Sequence, residues 1–296
     1  MNIHALYDEQ TFTLTYIVWD ENSKDAIVID PVLDYQSTGS KIANVSFNNV
    51  INYLKEHDLN LHYVLETHAH ADHLSSSQLF KEIYPNAIIA ISEHIREVQK
   101  TFKVIYNLSS HQTDGSQFDE LIKDNQTLNA GTLSIQALAT PGHTPACLSF
   151  LINDAVFTGD SLFMPDYGTG RCDFPKGDAT KLFESVHDVL YKLDDSTRVF
   201  VGHDYRPGGR ELKYETSIKE SKASNKQLTQ DTSKEAFVKM REDRDATLDA
   251  PKLLFPSIQV NIEAGHLPKE ENNGKNYLKI PLNLTFNSLN TNNQAG

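Results

Sequence analysis

Hydrophobic positions along the chain fall into short runs of two periods. Thr11–Trp19 and Ala26–Ile29 are rich in β-branched and aromatic residues and read as strands, the second stopped by Asp30-Pro31. Across Ala43–His57, Val45, Val50, Ile51 and Leu54 fall near helical spacing. His62–Glu66 reads as a short strand. Leu74–Ile83 reads as a helix ended by Pro85, Ala87–Ile91 as a strand and Glu93–Phe102 as a helix. Asn107–Asp119 is polar and reads as a loop. Thr132–Leu138, Cys147–Ile152 and Ala155–Phe157 read as strands in an antiparallel run, and Ser161–Gly177, rich in Gly and Pro, as a long loop. Asp178–Leu190 reads as a helix with Asp178 as N-cap. Arg198–Val201 is the next strand. Glu211–Lys234 is polar, its first part helical and its second a linker, and Lys234–Ala246 is helical. Pro251–Phe286 reads as extended and Asn287–Gly296 as a frayed end. No internal repeat is visible. This alternation of strands and helices predicts a layered α/β fold.

The chain has 296 residues, of which 39% are hydrophobic and 23% charged, enough for a packed core. No apolar run approaches the roughly 18–20 residues that span a bilayer. The first nine residues lack a basic segment followed by an apolar one, which argues against a secretory signal. The net charge of −13 disfavours a general nucleic-acid binder, because phosphate contacts need clustered Lys and Arg. A small anionic substrate would require a local basic pocket. The two cysteines, Cys147 and Cys172, form neither a disulfide framework nor a CxxC motif, so a reducing cytoplasm is the simplest compartment. As a small residue in an apolar strand, Cys147 reads as core.

The densest chemistry is His68-Ala69-His70-Ala71-Asp72-His73, four candidate metal ligands within six residues, directly after an apolar strand. In extended chain, residues two apart point the same way, so His68 and His70 can share one cavity. If a helix starts at Leu74, Asp72 and His73 sit at its N-terminus and face a neighbouring position. Such a run could serve two metals a few ångströms apart. Three further segments follow strands: Pro141-Gly142-His143, Gly159-Asp160 and Gly202-His203. Together they add a His, a carboxylate and a His in loops after separate strands, where a rigid scaffold can converge side chains. His4, His57, His62, His94, His111, His187 and His266 show no ligand-like spacing.

HxHxDH, then PGH, then GD, then GH resembles the ligand order of the metallo-β-lactamase superfamily over about residues 11–210. The resemblance implies an αββα sandwich with its site at one edge. It puts the metallo-β-lactamase domain at 1–240, with 241–296 as a C-terminal extension packed on the same domain. It implies that His68, His70 and His143 hold one metal and Asp72, His73 and His203 a second, with Asp160 bridging. A dinuclear zinc site of that kind would make hydroxide at neutral pH and hydrolyse thioesters or lactones, like glyoxalase II. Two His and one Asp of the same set make a facial triad suited to Fe(II). Ligand identity does not decide between the two.

The loop after Asp160, including Gly170-Arg171-Cys172-Asp173-Phe174, and the run His203-Asp204-Tyr205 resemble the persulfide dioxygenase branch. Related sequences include bacterial β-lactamase-like hydrolases, which also resemble this chain at Arg244–Leu248 and Gln259–Ile262. This likeness implies one Fe(II) per chain on His68, His143 and Asp160. His70, Asp72, His73 and His203 would surround an empty second site. It implies oxidation of glutathione persulfide, or a similar low-molecular-weight persulfide, with O₂ to sulfite and thiol, in sulfide detoxification. Animal members of the branch have Thr where this chain has Cys172, and the extension beyond about residue 240 also departs from them.

Substrate residues are read with alternatives. Arg171 pairs with a substrate carboxylate or with Asp173. Tyr205 hydrogen-bonds at the metal site or packs with a wet tip. Arg206 and Arg210 supply a local positive field or lie on a solvated turn. Cys172 relays sulfur as a thiolate favoured by Arg171, or is structural. The tail could contribute to a homo-oligomer.

Overall fold

In a computed structural model, residues 1–283 are described. Fifteen strands among them form two six-stranded sheets and one three-stranded sheet. The first sheet contains β1 (Asn2–Asp8), β2 (Thr13–Trp19), β3 (Asp25–Ile29), β6 (Asn60–Leu65), β8 (Ile88–Ser92) and β9 (Glu120–Ile122), in that order. The second contains β10 (Thr127–Ala130), β11 (Leu133–Ala139), β12 (Leu148–Ile152), β13 (Ala155–Phe157), β14 (Arg198–Phe200) and β15 (Glu215–Ser217). A small sheet joins β4 (Val32–Gln36) to β5 (Lys41–Ala43) and β7 (Leu74–Ser75).

Strand β2 shows how the layers are built. All seven residues are buried, because both faces are covered. Leu14, Tyr16 and Val18 pack into one core with Ile135, Phe150, Phe157 and Phe200 of the second sheet. Ile17 and Trp19, on the opposite face, pack with Phe47, Val50, Ile51 and Leu54 of α1 (Val45–Glu56) and with Ile95, Val98 and Phe102 of α3 (Ile95–Ile105). On the far side of the second sheet lie α4 (Ala179–Glu184), which contributes Leu182 and Phe183, and α6 (Lys234–Asp245), which contributes Phe237. The order helix, sheet, sheet, helix is the expected αββα sandwich. Between α1 and α3 lies α2 (Ser77–Ile83). Among the described residues no helix is long and apolar enough to cross a membrane.

The Asp178 cap is found as expected: its carboxylate accepts from Thr180 N–H and Lys181 N–H. The helix it starts covers the expected Asp178–Leu190 but changes type along the way, α over Ala179–Glu184, a wider π turn at Ser185–Val189 and a 3-10 turn at Leu190–Lys192. The polar stretch after residue 211 holds β15 and α5 (Ile218–Ser224), then irregular chain.

Two expectations are corrected. The helix after the His cluster starts at Ser77, not Leu74, because Leu74 and Ser75 pair with Leu33 and Val32 of β4. Pro251–Phe286 is not extended throughout. It contains α7 (Leu254–Asn261), whose Leu254 and Ile258 share the core with α1 and α3. Pro256 is tolerated there because it lies in the first turn, where its missing N–H would have had no helical partner. The expected fraying at 287–296 lies outside the described residues.

Candidate metal centre

The ligand-type residues sit just beyond the C-terminal ends of four strands. β6 runs into the loop 66–73, β11 into His143, β13 into Asp160 and β14 into His203. β13 and β14 are parallel neighbours, so Asp160 and His203 emerge side by side. The first sheet is tied to the second at this end by Leu14 N–H donating to Gly202 C=O at 2.9 Å. The turn before His143 needs Gly142, whose φ is +144° and whose missing Cβ would strike the backbone of Leu182 in α4.

His68, His143 and Asp160 bring one ligand atom each to within 4.8 Å of one another, and all three are buried. His70, Asp72 and His73 form a second such group. His203 lies between the carboxylates, with Nε2 3.2 Å from Asp72 Oδ2 and 3.3 Å from Asp160 Oδ1. His68 Nε2, His70 Nδ1, Asp72 Oδ2, His73 Nε2, Asp160 Oδ1 and His203 Nε2 are buried and make no well-formed hydrogen bond. So many unsatisfied polar atoms converging on one spot would cost several kcal/mol in an apolar interior. A cation at their centre resolves this, so the donor set fits a metal.

The opposite edges of the imidazoles are held by the protein, which fixes the ring atom turned to the metal. His143 Nδ1 donates to Arg171 C=O at 2.7 Å, and His73 Nδ1 to Leu74 C=O at 3.1 Å. His68 Nδ1 lies 3.0 Å from Thr67 Oγ1. Burial and the neighbouring imidazoles hold His68 well below the usual histidine range, and burial pushes His73 down to about 4. Both rings therefore stay neutral and offer a lone pair. Burial would lower His70 too, but the carboxylates beside it prevail and raise it well above the ordinary value. Its Nε2 lies 3.0 Å from Asp30 Oδ1 and 3.4 Å from Glu66 Oε2, so a metal at Nδ1 would have to displace the second proton of the ring.

Asp30 and Glu66, which lie against His70, were missed by the sequence reading. Asp30 accepts from Thr67 N–H at 2.7 Å and Thr67 Oγ1–H at 2.8 Å, and Glu66 accepts from Ser75 and Ser77 hydroxyls. The signal for Asp30 was present, since it follows a strand as Asp160 does.

A cavity of about 460 Å³ opens onto Asp72, His143 and Asp160. Phe163, Tyr167 and Tyr205 form one wall, with the Tyr167 and Tyr205 rings stacked at 4.6 Å. Burial, then Asp72 and Asp160, raise the Tyr205 hydroxyl well above its ordinary value, so it remains a proton donor. Tyr35, Gln36 and Ser37 of the β4–β5 hairpin form another wall. The C-terminal segment closes a third with Arg241, Arg244, Leu248, Pro251, Lys252 and Leu253.

The expected substrate residues are placed unequally. Tyr205 and Arg171 line the cavity. The Arg171 guanidinium grips Asp173 with two bonds of 2.5 Å and donates to Asp249 C=O at 2.8 Å, the alternative given for it above. Arg206 and Arg210 do not line the cavity. Arg206 lies over the Tyr7 ring at 4.7 Å and 3.6 Å from Glu9, and Arg210 clamps Asp166 and Asp204. Cys172 is buried outside the cavity lining, and burial with Asp245 nearby pushes its thiol well up, against a thiolate. Burial likewise pushes Cys147 up to about 12. The cavity's exposed basic residues, Arg244 and Lys252, lie in the segment whose role the sequence left open.

The Metallo-beta-lactamase superfamily pattern matches residues 9–203. The chain belongs to this superfamily. It is 49% identical over 283 residues to Glyoxylase B2 of Dictyostelium discoideum, covering 95% of this chain and 97% of that one. It is 29% identical over 265 residues to the bovine (Bos taurus) mitochondrial persulfide dioxygenase ETHE1, covering 89% and 88%. Among solved structures, ETHE1 from Myxococcus xanthus superposes with a TM-score of 0.72 at 32% identity, covering 90% of this chain and all of that one. Relatives thus include proteins named for hydrolase-type and for dioxygenase activity. The superfamily member described here is a metal-binding, enzyme-like protein.

Proposed function

We propose that this protein is an Fe(II)-dependent persulfide dioxygenase, acting on glutathione persulfide or a similar small persulfide. The observation that carries the reading is the trio His68, His143 and Asp160, two imidazoles and one carboxylate gathered together, with His143 and Asp160 facing the cavity. Three ligands of this type on one face leave the other positions of a metal open, the arrangement of non-haem Fe(II) oxygenases. The similarity to proteins named persulfide dioxygenase supports the same choice.

Iron there would supply the redox chemistry that lets dioxygen react with sulfur. The overall reaction balances as persulfide, O₂ and water giving thiol, sulfite and two protons. The chain's own residues do the rest. The aromatic wall of Phe163, Tyr167 and Tyr205 excludes water and orients the substrate. The protonated Tyr205 hydroxyl donates a hydrogen bond into the site. Arg244 and Lys252 at the rim provide the local positive field that an acidic protein needs to seat an anionic thiol. His70, Asp72, His73 and His203 surround the iron site. The two free, buried cysteines suit a reducing compartment and support a cytoplasmic location.

A dinuclear zinc hydrolase of thioesters is the second reading. It is favoured by the His70, Asp72 and His73 group and by the similarity to a protein named Glyoxylase B2. Elemental analysis of protein from iron-supplemented cells, with an oxygen electrode and glutathione persulfide, separates the two. One iron per chain with oxygen uptake is expected. Two zinc per chain with no uptake would sink the dioxygenase reading.

A further inference from the structure

The ligand loop 66–73 lies between β6 and β7 without regular structure, so its backbone carbonyls need partners from elsewhere. Two of them find one side chain. Asn261, the last residue of α7 and only 4% exposed, donates from Nδ2 to His70 C=O and to His73 C=O, each at 2.8 Å. Its Oδ1 accepts from Ser75 N–H, also at 2.8 Å. Both amide hydrogens and the oxygen are therefore used, all on the stretch carrying His70, Asp72 and His73. No other side chain of this length offers two donors and an acceptor: Asp has no donor, and Gln is one methylene too long.

A second thread reaches the opposite side of the site. Asp245, the last residue of α6, accepts from Cys172 N–H at 2.7 Å, and the preceding residue, Arg171, accepts through its carbonyl from His143 Nδ1. Asp245 is itself fixed by the fully buried Arg241 at 2.5 Å. Both threads start in the segment after residue 203, beyond the superfamily match.

We infer that Asn261 is a positioning residue for the metal centre and that α7 acts as a clasp closing the His70–His73 loop. It touches neither substrate nor metal. It acts by holding backbone carbonyls, and so ligand directions, in place. The inference stands for either metal, because metal retention rather than oxygen uptake reads it.

The test compares Asn261→Ala with Ile258→Ala in the full-length protein as isolated. Ile258 is fully buried in the same helix, and its truncation loosens packing while leaving every hydrogen bond to the loop in place. Metal affinity is measured by competition with a chromogenic chelator, and thermal stability of each apoprotein separately. Loss of a supporting hydrogen-bond partner weakens metal binding by about 10–100-fold. That loss is expected for Asn261→Ala, with wild-type affinity in Ile258→Ala. If Asn261→Ala fails to fold, Asn261→Asp carries the test. It keeps size and the Ser75 bond but sets an acceptor against two carbonyls, and the same weakening is expected. Wild-type affinity in a folded Asn261 variant, or equal weakening in Ile258→Ala, would overturn the inference.

Discussion

Gly142→Ala probes how tightly the turn before His143 is held. A Cβ on Gly142 would lie 2.4 Å from Leu182 Cα and 2.5 Å from Leu182 N, about 1 Å inside ordinary van der Waals contact. The obstruction is helix backbone and cannot swing aside like a side-chain tip. Either α4 or the turn must move by about that ångström, whereas a metal-site constellation tolerates displacements of about 0.5 Å. Overpacking costs roughly 1–3 kcal/mol. The φ of +144° adds strain of about 1–3 kcal/mol for any residue with a side chain. Their combination, roughly 2–6 kcal/mol, corresponds to a melting-temperature fall of about 5–20 °C for a chain of this size. Gly208→Ala is the control. Its φ is +71°, but nothing lies within 4 Å, so it carries strain alone. Melting curves and metal content are measured for both. Gly142→Ala should melt well below Gly208→Ala and lose metal. Equal melting temperatures with full metal content would refute the reasoning.

Three further outcomes are expected. His143→Ala should lose both metal and activity, whereas Asp72→Ala should keep iron, as elemental analysis will show; loss of all metal from Asp72→Ala would favour the dinuclear reading. Arg244→Ala with Lys252→Ala should raise KM for an anionic persulfide by about tenfold or more while leaving kcat and KM for an uncharged persulfide near wild type, a split visible in steady-state oxygen uptake. Asp25 is held below the usual carboxylate range because hydrogen bonds from His62 and Thr132 outweigh its desolvation. A depressed carboxyl contributes stability above its unfolded pKa of about 4, and that contribution fades as pH falls through the folded value. Asp25→Asn should therefore destabilise the protein most near neutrality, with the gap to wild type closing below about pH 4 in denaturant titrations.

The seven ligand-type residues were legible because they lie in the loops that follow β6, β11, β13 and β14, so short-range pattern and long-range placement coincide. The loop around Arg171 was also legible as a loop. What it touches was not, because Asp249, Asp245 and Arg241 arrive from more than 70 positions away. β1 went unread although Ile3, Ala5 and Tyr7 alternate, because all seven of its residues are only half-buried and the hydrophobic contrast is weak. The helix α7 was hidden for the opposite reason. Its Pro256 and β-branched Ile258 and Val260 speak locally for extended chain, and burial against α1 and α3 overrides them. Arg206 and Arg210 look like anion binders in sequence, and only the fold shows that acidic neighbours occupy them. Asn261 had no signal at all: an amide near the end of an apolar run is unremarkable until the carbonyls it meets are known.

The Asn261 clasp also sets an order of events. Its partner His73 precedes it by 188 residues. At translation rates of about 5–20 residues per second, on the order of ten to forty seconds separate synthesis of the two. For that interval a nascent chain already carries HxHxDH, and later His143, Asp160 and His203, with Asp30 holding Thr67 but without the amide that joins the His70 and His73 carbonyls. On the inference drawn above, firm metal capture would wait for α7, and a chain stopped short of it would leave the ribosome with a full set of ligands but without the bonds that hold the His70 and His73 carbonyls.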